Sequence, residues 1–405
     1  MVINEYCKHC WPTKRKKHLV NHINYYIDKS LWSFCVSLGE IALRTKVVAT
    51  IADLITTQLV ELLALIGIIK FQSNPDETKL YNRGLIFFKE AKKRGLTIQS
   101  SKFLGKYNNS FKFIYKGKKY YYDSIPLTIL DKHAATINNK GETKRLLKKY
   151  NIPVAEGKSF TNKIKAIQYA RNLGFPLVVK PNNGSLSHHV TCNIQSDGKL
   201  IEAINIVKKF SPDFIVEKYI KGELYRATVI GKKHLYICKK EKANVIGDGL
   251  STIKELITFK NSCQERGKTH KMNTTLHEIL IDEVLKTNLK NQNLDLQSII
   301  AKNKKIYLQN KYILAHGCDI INCGEQAHTQ NKRLFFKIAN LFDTNLIGID
   351  FISPNIKTPY YQHKVAVLEA NSLPYLDMHQ YPSHGKPEQI ARAVWDITLD
   401  HLDKK

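Results

Sequence analysis

What this 405-residue chain has little of narrows its class first. Only 10 of its 63 basic residues are arginine, the side chain whose planar fork reads bases and phosphates. The formal charge of +28 therefore reads mainly as a solvated lysine surface, with an anionic substrate as the second reading and nucleic acid as the third. Eight cysteines at irregular spacing make no disulfide framework in so long a chain, which points to a reduced, cytoplasmic enzyme. The start, MVINEYCKHCWPTKRKKHL, is polar and has no apolar core before a small-residue cleavage site, so no secretory leader is expected. Long hydrophobic runs are also missing. Asp53 and Glu61 interrupt residues 47–71, and only Leu62–Ile69 is continuously apolar, whereas a spanning helix needs about 20 apolar residues. A buried or partner-facing helix ending near Ile69 is expected there, a candidate contact in a homo-oligomer. Stable membrane insertion is not.

With 43% apolar residues the chain can fold throughout, and its length calls for two or three lobes. Cys7 and Cys10, followed by His18 and His22, could make a zinc site. The gap before His18 is short for a finger, so unliganded thiols are expected. Residues 79–98 read as a helix leading into the strand LTIQ, and FKFIYKGKKYYYD reads as a hairpin turning at Lys116-Gly117. From residue 140 helices and strands alternate. PDFIVEKYIKGELYRATVIGKKHLYICKK gives three extended runs in an antiparallel arrangement, separated by Gly222 and Gly231. Residues 274–289 and 331–342 read as helices. So does the C-terminal stretch, with Pro387 and Glu388 in its first turn.

Near the C-terminal end, VAVLEANSLP places Glu369 and Asn371 on alternate positions of a strand, so both point to one side. TNLIGIDFISP has the same form and carries Asp350. If the two strands are neighbours, three oxygen donors converge where a hard divalent cation could bridge to phosphate; otherwise both acids simply mark strand ends entering solvent. PLVVKPNNGSLSHHV puts Lys180 at the end of an apolar strand before a polar loop, either a fixed charge for a phosphate or a surface lysine before a turn. FIVEKYIKGELYR could offer backbone groups to an adenine edge and an acid to ribose hydroxyls, or be an ordinary hairpin. Asp248, between two glycines, either seats an anion at a helix start or belongs to a plain turn and cap.

The order of these pieces resembles the ATP-grasp superfamily, and within it the ATP-grasp region of cyanophycin synthetases and gamma-glutamyl peptide ligases. The resemblance covers residues 138–400 through TKRLL, PLVVKP, VEKYIKG, VIGDG, GID, LEANSLP and MHQYPSHGKPEQIARAVWDI. It implies an α+β fold in which two α/β lobes clasp ATP, preceded by a divergent N-terminal mixed α/β region, with divisions at 1–137, 138–257 and 258–405. The activity implied is carboxylate–amine ligation through an acyl phosphate, with ATP and one or two Mg2+. By the resemblance Lys144 and Lys180 touch ATP phosphates, helped by Ser185 and Ser187 of the intervening loop. Glu217, Lys218, Tyr219 and Ile220 line the adenine site, and Glu223 meets the ribose. Asp350, Glu369 and Asn371 hold magnesium, while Arg226 and Lys240 stabilise the reacting oxyanion. His188, His316, Asp377 and His379 are expected along the substrate cleft, and the partners are small-molecule or peptide carboxylates and amines.

Some positions depart from the family pattern. Ser187, His188 and His189 stand where the phosphate loop usually has a basic residue flanked by glycines, and Leu224 stands where many members carry the ribose acid. Tyr375 and Asp377 occupy positions that tend to be glycine and arginine in the cyanophycin enzymes, so polyaspartate–arginine synthesis is not carried over. The sequence ends at Lys405 without a Mur-ligase-like domain, and a single ligation chemistry is expected. A phosphotransferase or another ligase on the same site, and a decayed nucleotide- or nucleic-acid-binding module, are the rival readings.

Overall fold

Helix α1 (Leu19–Ile27) and helix α2 (Lys46–Leu65) precede the first sheet in this computed structural model, which describes residues 18–27, 46–129, 137, 139–183, 188–269, 271 and 273–404. Gly67, at φ 77°, turns the chain out of α2, so the apolar run does not continue as helix to Ile69 as its composition suggests. Residues Ile69–Gln72 are strand β1 instead, pairing antiparallel with β2 (Thr97–Phe103), which is followed by β3 (Lys106–Tyr115) and β4 (Lys118–Asp123). The β3–β4 turn falls at Lys116-Gly117, where both residues take left-handed φ values of 48° and 76°, the geometry that matches strand twist.

Helix α3 (Asn82–Lys93) buries Leu85, Ile86, Phe87, Phe88 and Ala91 against Phe111 and Phe113 of β3. Trp395, from the last helix (Ile390–Asp403), enters the same core, stacks edge-on to Phe113 and donates its indole N–H to Phe87 O at 2.9 Å. Pro387 and Glu388 lie before that helix rather than in its first turn; the Glu388 carboxylate is held by Asn322 Nδ2 at 2.9 Å.

A second sheet carries the middle of the chain. Helix α4 (Lys140–Lys149) leads to β5 (Gly157–Phe160), α5 (Lys163–Leu173), β6 (Leu177–Pro181), β7 (Thr191–Ile194), α6 (Asp197–Phe210) and β8 (Phe214–Lys218), with sheet order β5-β8-β6-β7. The third sheet begins immediately after Gly222, with β9 (Glu223–Ile230) and β10 (His234–Glu241). The three extended runs expected as one antiparallel unit are therefore divided, β8 closing one sheet and β9 opening the next. With β11 (Asp319–Asn322), β12 (Leu346–Ser353) and β13 (Ala366–Asn371), the order is β11-β10-β9-β12-β13.

Between β10 and β11 lie α7 (Ile253–Asn261) and α8 (Glu283–Lys290), packed in a core of their own. Thr252 and Glu255 form a capping box at α7, and Asp248 accepts from the amides of Leu250 and Ser251. The plain turn and cap is what this stretch forms. Helix α8 starts at Glu283, capped by Asp282, and not at residue 274; Leu276–His277 pairs as a short strand with Arg266–Gly267. Helix α9 (Thr329–Phe342) buries Phe335 and Ile338 against Ile347, Ile349 and Phe351 of β12. No helix among the described residues is long and apolar enough to cross a membrane.

Candidate functional site: a cleft between two sheets

Strand register decides which side chains meet on the third sheet. Arg226 on β9 pairs with Asp350 on β12, and Asp350 pairs with Glu369 on β13, so the three stand abreast on one face. Arg226 grips Asp350 with both ends of its fork, Nε to Oδ1 at 2.6 Å and Nη2 to Oδ2 at 3.0 Å, and Lys240 Nζ lies 3.5 Å from Oδ1. Burial by itself would raise the Asp350 carboxyl; Arg226 and Lys240 outweigh it and hold the group well below the usual carboxylate range. Asn371 Nδ2 donates to Glu369 Oε1 at 3.4 Å, which leaves its amide oxygen as the remaining acceptor. The two acids and the amide thus share one patch, because the strands are neighbours. A side chain at Gly348 would place Cβ 2.6 Å from Pro374 Cβ and 3.2 Å from Arg226 Nη1, so glycine permits the segment after Asn371 to cross beside the arginine.

The facing wall comes from the second sheet. Lys180, at the end of β6, is buried, pairs with Glu217 Oε1 at 2.7 Å and donates to Leu368 O across the cleft at 3.2 Å. Lys144, on α4, pairs with the other oxygen of Glu217. Burial opposes ionisation of all three groups. For Glu217 the two lysines prevail and lower its carboxyl; for Lys180 the carboxylate prevails and raises it; for Lys144 burial, with Lys180 nearby, prevails and lowers it.

After Glu217 the backbone changes use. Lys218 N–H donates to Glu156 O at 2.8 Å and Tyr219 N–H to Pro176 O at 3.0 Å. The Lys218 ammonium caps the C-terminal end of α5 through the carbonyls of Leu173, Gly174 and Phe175. Its side chain therefore serves the scaffold, while Tyr219 and Ile220 border the cleft.

The remaining expected residues are distributed unevenly. His188 lines the cleft; Ser185 and Ser187, like Cys7 and Cys10, lie outside the described residues. His18 packs edge-on against His189 and Phe210. Glu223 sits more openly than the cleft acids, 3.5 Å from Lys239 Nζ. His316 is buried in the turn Leu314–His316 and, like Arg226, Asp377 and His379, is not among the residues lining the cleft. Asp377 and His379 are buried in a single helical turn (Asp377–Gln380), where His379 Nε2 is 2.8 Å from Thr228 Oγ1 on β9. Burial raises the Asp377 carboxyl, whereas burial, Arg226 and Lys240 lower His379 to about 3.

Several cleft residues escaped sequence reasoning. Lys140 lies one helical turn before Lys144 and places Nζ 3.4 Å from Glu369 Oε2, a spacing the sequence does display. Lys242, Lys311 and Tyr312 also line the cleft, and the last two come from a loop with no local signature.

No protein-family model matches the chain. It is similar to cyanophycin synthetase of Geminocystis herdmanii, 31% identical over 269 residues, which are 64% of this chain and 30% of that protein. It is also similar to the glutathione biosynthesis bifunctional protein GshAB of Clostridium perfringens, 30% identical over 270 residues, 66% of this chain and 34% of that protein. The chain thus spans about a third of the length of these curated relatives. A bifunctional glutathione synthetase from Pasteurella multocida has the same fold, with a TM-score of 0.61 at 24% identity over 80% of this chain and 44% of that one. With two facing α/β lobes, the ordered motifs of residues 138–400 and these relatives, the chain belongs to the ATP-grasp superfamily, as a relative of cyanophycin synthetase and GshAB.

Proposed function

We propose that the chain is an ATP-dependent ligase that joins a carboxylate to an amine through an acyl phosphate, releasing ADP and phosphate. The observation that carries this reading is the opposition of two charged sets across one cleft: Arg226, Asp350 and Glu369 in register on one sheet, and Lys180, Glu217 and Lys144 on the other. Anionic phosphates entering between them would compete with Glu217 for the two lysines. Ile220 N–H and the carbonyls of Lys218 and Tyr219 are the groups offered to an adenine edge, since the amides of Lys218 and Tyr219 are already engaged. Glu223 is assigned to the ribose.

Two carboxylates and an amide oxygen on one sheet face are the hard donor set that suits Mg2+ shared with phosphate oxygens. Asp350, Glu369 and Asn371 would hold it, and when bound it would neutralise charge on the transferring phosphoryl group. In the reaction a carboxylate oxygen of the substrate bonds to the γ-phosphorus as ADP leaves. An amine then attacks the acyl carbon, phosphate leaves and the amine loses a proton. Arg226 and Lys240 stabilise oxyanion charge at the reacting carbonyl and phosphoryl oxygens. His188 faces the nucleotide side, and Asp377 and His379 belong to the acceptor end. His316, buried in its turn, is assigned with them to the substrate side. Small-molecule or peptide carboxylates and amines are the expected partners.

The test is an ADP-release screen over paired amino acids and short peptides, with mass spectrometry for a product lighter than the summed substrates by one water. Glu369→Gln, which removes a charge and little volume, is expected to lower turnover by about two to three orders of magnitude with its circular dichroism unchanged. Phosphate appearing on a small molecule without a condensed product would replace this reading with phosphotransfer.

A further inference from the structure

Helix α1 lies outside residues 138–400, the stretch that carries the ATP-grasp motifs, yet it docks on the lobe of the second sheet through three rings. His18, at the head of α1, is 4% exposed and stands edge-on to His189 and to Phe210, with ring centres 5.1 Å away in each case. His189 and Phe210 stack on one another at 4.6 Å, inclined by 25°. Asn21, one turn along α1, donates Nδ2 to Phe210 O at 3.4 Å. The start of α1 thus covers the last residue of α6 and the segment that enters β7.

His189 has a φ of 56°, in the left-handed region that a residue with a Cβ disfavours. Such a conformation persists where the surroundings fix it. Here the fixing contacts are rings, Phe210 stacked on the imidazole and His18 set edge-on to it, and His189 is only 2% exposed. Its neighbour His188, whose ring centre is 6.5 Å from that of His189, lines the cleft with Lys180 and Glu217. Adjacent histidines therefore differ in duty: His189 is anchored under α1, and His188 borders the nucleotide cleft.

A polar route runs beside the rings. Asp213 accepts from Ser211 Oγ at 2.8 Å and from Asn182 Nδ2 at 2.9 Å, and Asn182 Oδ1 takes the Gly141 N–H of α4 at 2.8 Å. Tyr25 of α1 lies near Asp213, and burial together with that carboxylate pushes its phenol up. Asn182 follows Lys180 by two residues, and Gly141 precedes Lys144 on α4. The surface that receives α1 is thus continuous with the segments bearing both lysines of the cleft wall.

We propose that α1 is part of the nucleotide site, with His18 as a positioning residue that holds His189 in its left-handed conformation and so sets His188 against the phosphates of ATP. The proposal rests on the ligase reading for the identity of the ligand and adds to it an element from outside residues 138–400. A helix that only covered apolar surface would stabilise the lobe without favouring one ligand over another. Contact through the residue next to His188 makes the effect depend on the phosphates.

The experiment is equilibrium calorimetry on the full chain with Mg2+, comparing adenosine with the β,γ-imido analogue of ATP, so that no turnover is required. His18→Ala is expected to weaken the analogue about tenfold while adenosine affinity stays within about twofold, which also reports that the variant is folded. His18→Phe keeps a ring against His189 and should retain the analogue within about threefold of wild type. His189→Gly takes the left-handed conformation without strain but leaves no ring to hold. It should weaken the analogue by about the same factor as His18→Ala, and adding His18→Ala to it should cost nothing further. Unchanged affinity for the analogue in His18→Ala would overturn the proposal. So would an equal weakening of adenosine, a loss in His18→Phe as large as in His18→Ala, or losses that multiply in the double variant. Nucleotide binding with the expected pattern but without any condensed product would retain this inference and remove the ligase reading, whereas no binding of the analogue to wild-type protein would overturn both.

Discussion

Glu217 shows how one buried carboxylate can hold two lysines together. Two lysines brought within reach of one another would repel, and the shared acid keeps both charged groups in place until an anion competes for them. Lys180 and the three oxygen donors were legible in the sequence, because a charged residue ending an apolar strand has a fixed direction. The pairing of Glu217 with Lys144 was not, since the partners are 73 positions apart and only the docking of α4 on the sheet joins them. His379 carries a measurable consequence at this scale. Its folded pKa of about 3 lies below the ordinary 6.5, so the unfolded chain binds more protons between these values. The stability it contributes is therefore complete above about pH 6.5 and is lost as pH falls toward 3. Between pH 7 and 5 this single residue should cost wild-type protein about 2 kcal/mol of unfolding free energy. His379→Gln, which can keep a hydrogen bond to Thr228, should lose correspondingly less in urea titrations at the two pH values. Equal losses in the two proteins would count against a buried neutral histidine.

Elements were legible where local chemistry is strong and obscure where a distant partner decides. The Lys116-Gly117 hairpin and the glycine-punctuated strands follow from turn chemistry alone. The helix expected from residue 274 fails in its first half because Leu276–His277 pairs with Arg266–Gly267, a contact no periodicity announces, and Asp282 then caps the helix that does form. Likewise β8 and β9 read as consecutive strands of one sheet, yet each finds its neighbours elsewhere, and that division creates the cleft. The last helix is the clearest case of tertiary control, since Trp395 fills the core of the N-terminal lobe. Trp395→Ala should cost about 3–5 kcal/mol through an unfilled cavity, with faster hydrogen exchange in both 82–93 and 390–403. Thr252→Ala removes only a helix cap and should cost about 1 kcal/mol. Faster exchange confined to 390–403 in the tryptophan variant would mean that the two ends of the chain do not share a core.

At the scale of the whole molecule, polar bridges that join the lobes at the cleft include Lys140 with Glu369 and Lys180 with the Leu368 carbonyl. One joins helix α4 and the other the second sheet to the acid-bearing strand β13, so a ligand that binds both walls should stabilise the pair of lobes as a unit. The lysine-rich surface adds a general attraction for anions, which salt screens within about 8–10 Å at physiological ionic strength. Binding inside the cleft should resist that screening because Lys180, Glu217, Arg226 and Asp350 are buried. This separates specific nucleotide binding from nonspecific capture by a chain of charge +28. ATP with Mg2+ at a hundredfold excess over its dissociation constant contributes about 2.7 kcal/mol to the folded state. For a chain of 405 residues unfolding as one unit, that corresponds to a rise in Tm of about 3 °C. ATP without the metal should give a smaller rise, because no cation then bridges Asp350 and Glu369 to the phosphates. In Glu369→Gln the increment due to Mg2+ should shrink while that due to ATP alone should grow, since one repelling charge has been removed. Measuring both increments at low and at 0.5 M salt completes the test. A rise that vanishes at high salt, or one indifferent to Mg2+ in wild-type protein, would assign the binding to the outer lysines and not to the cleft.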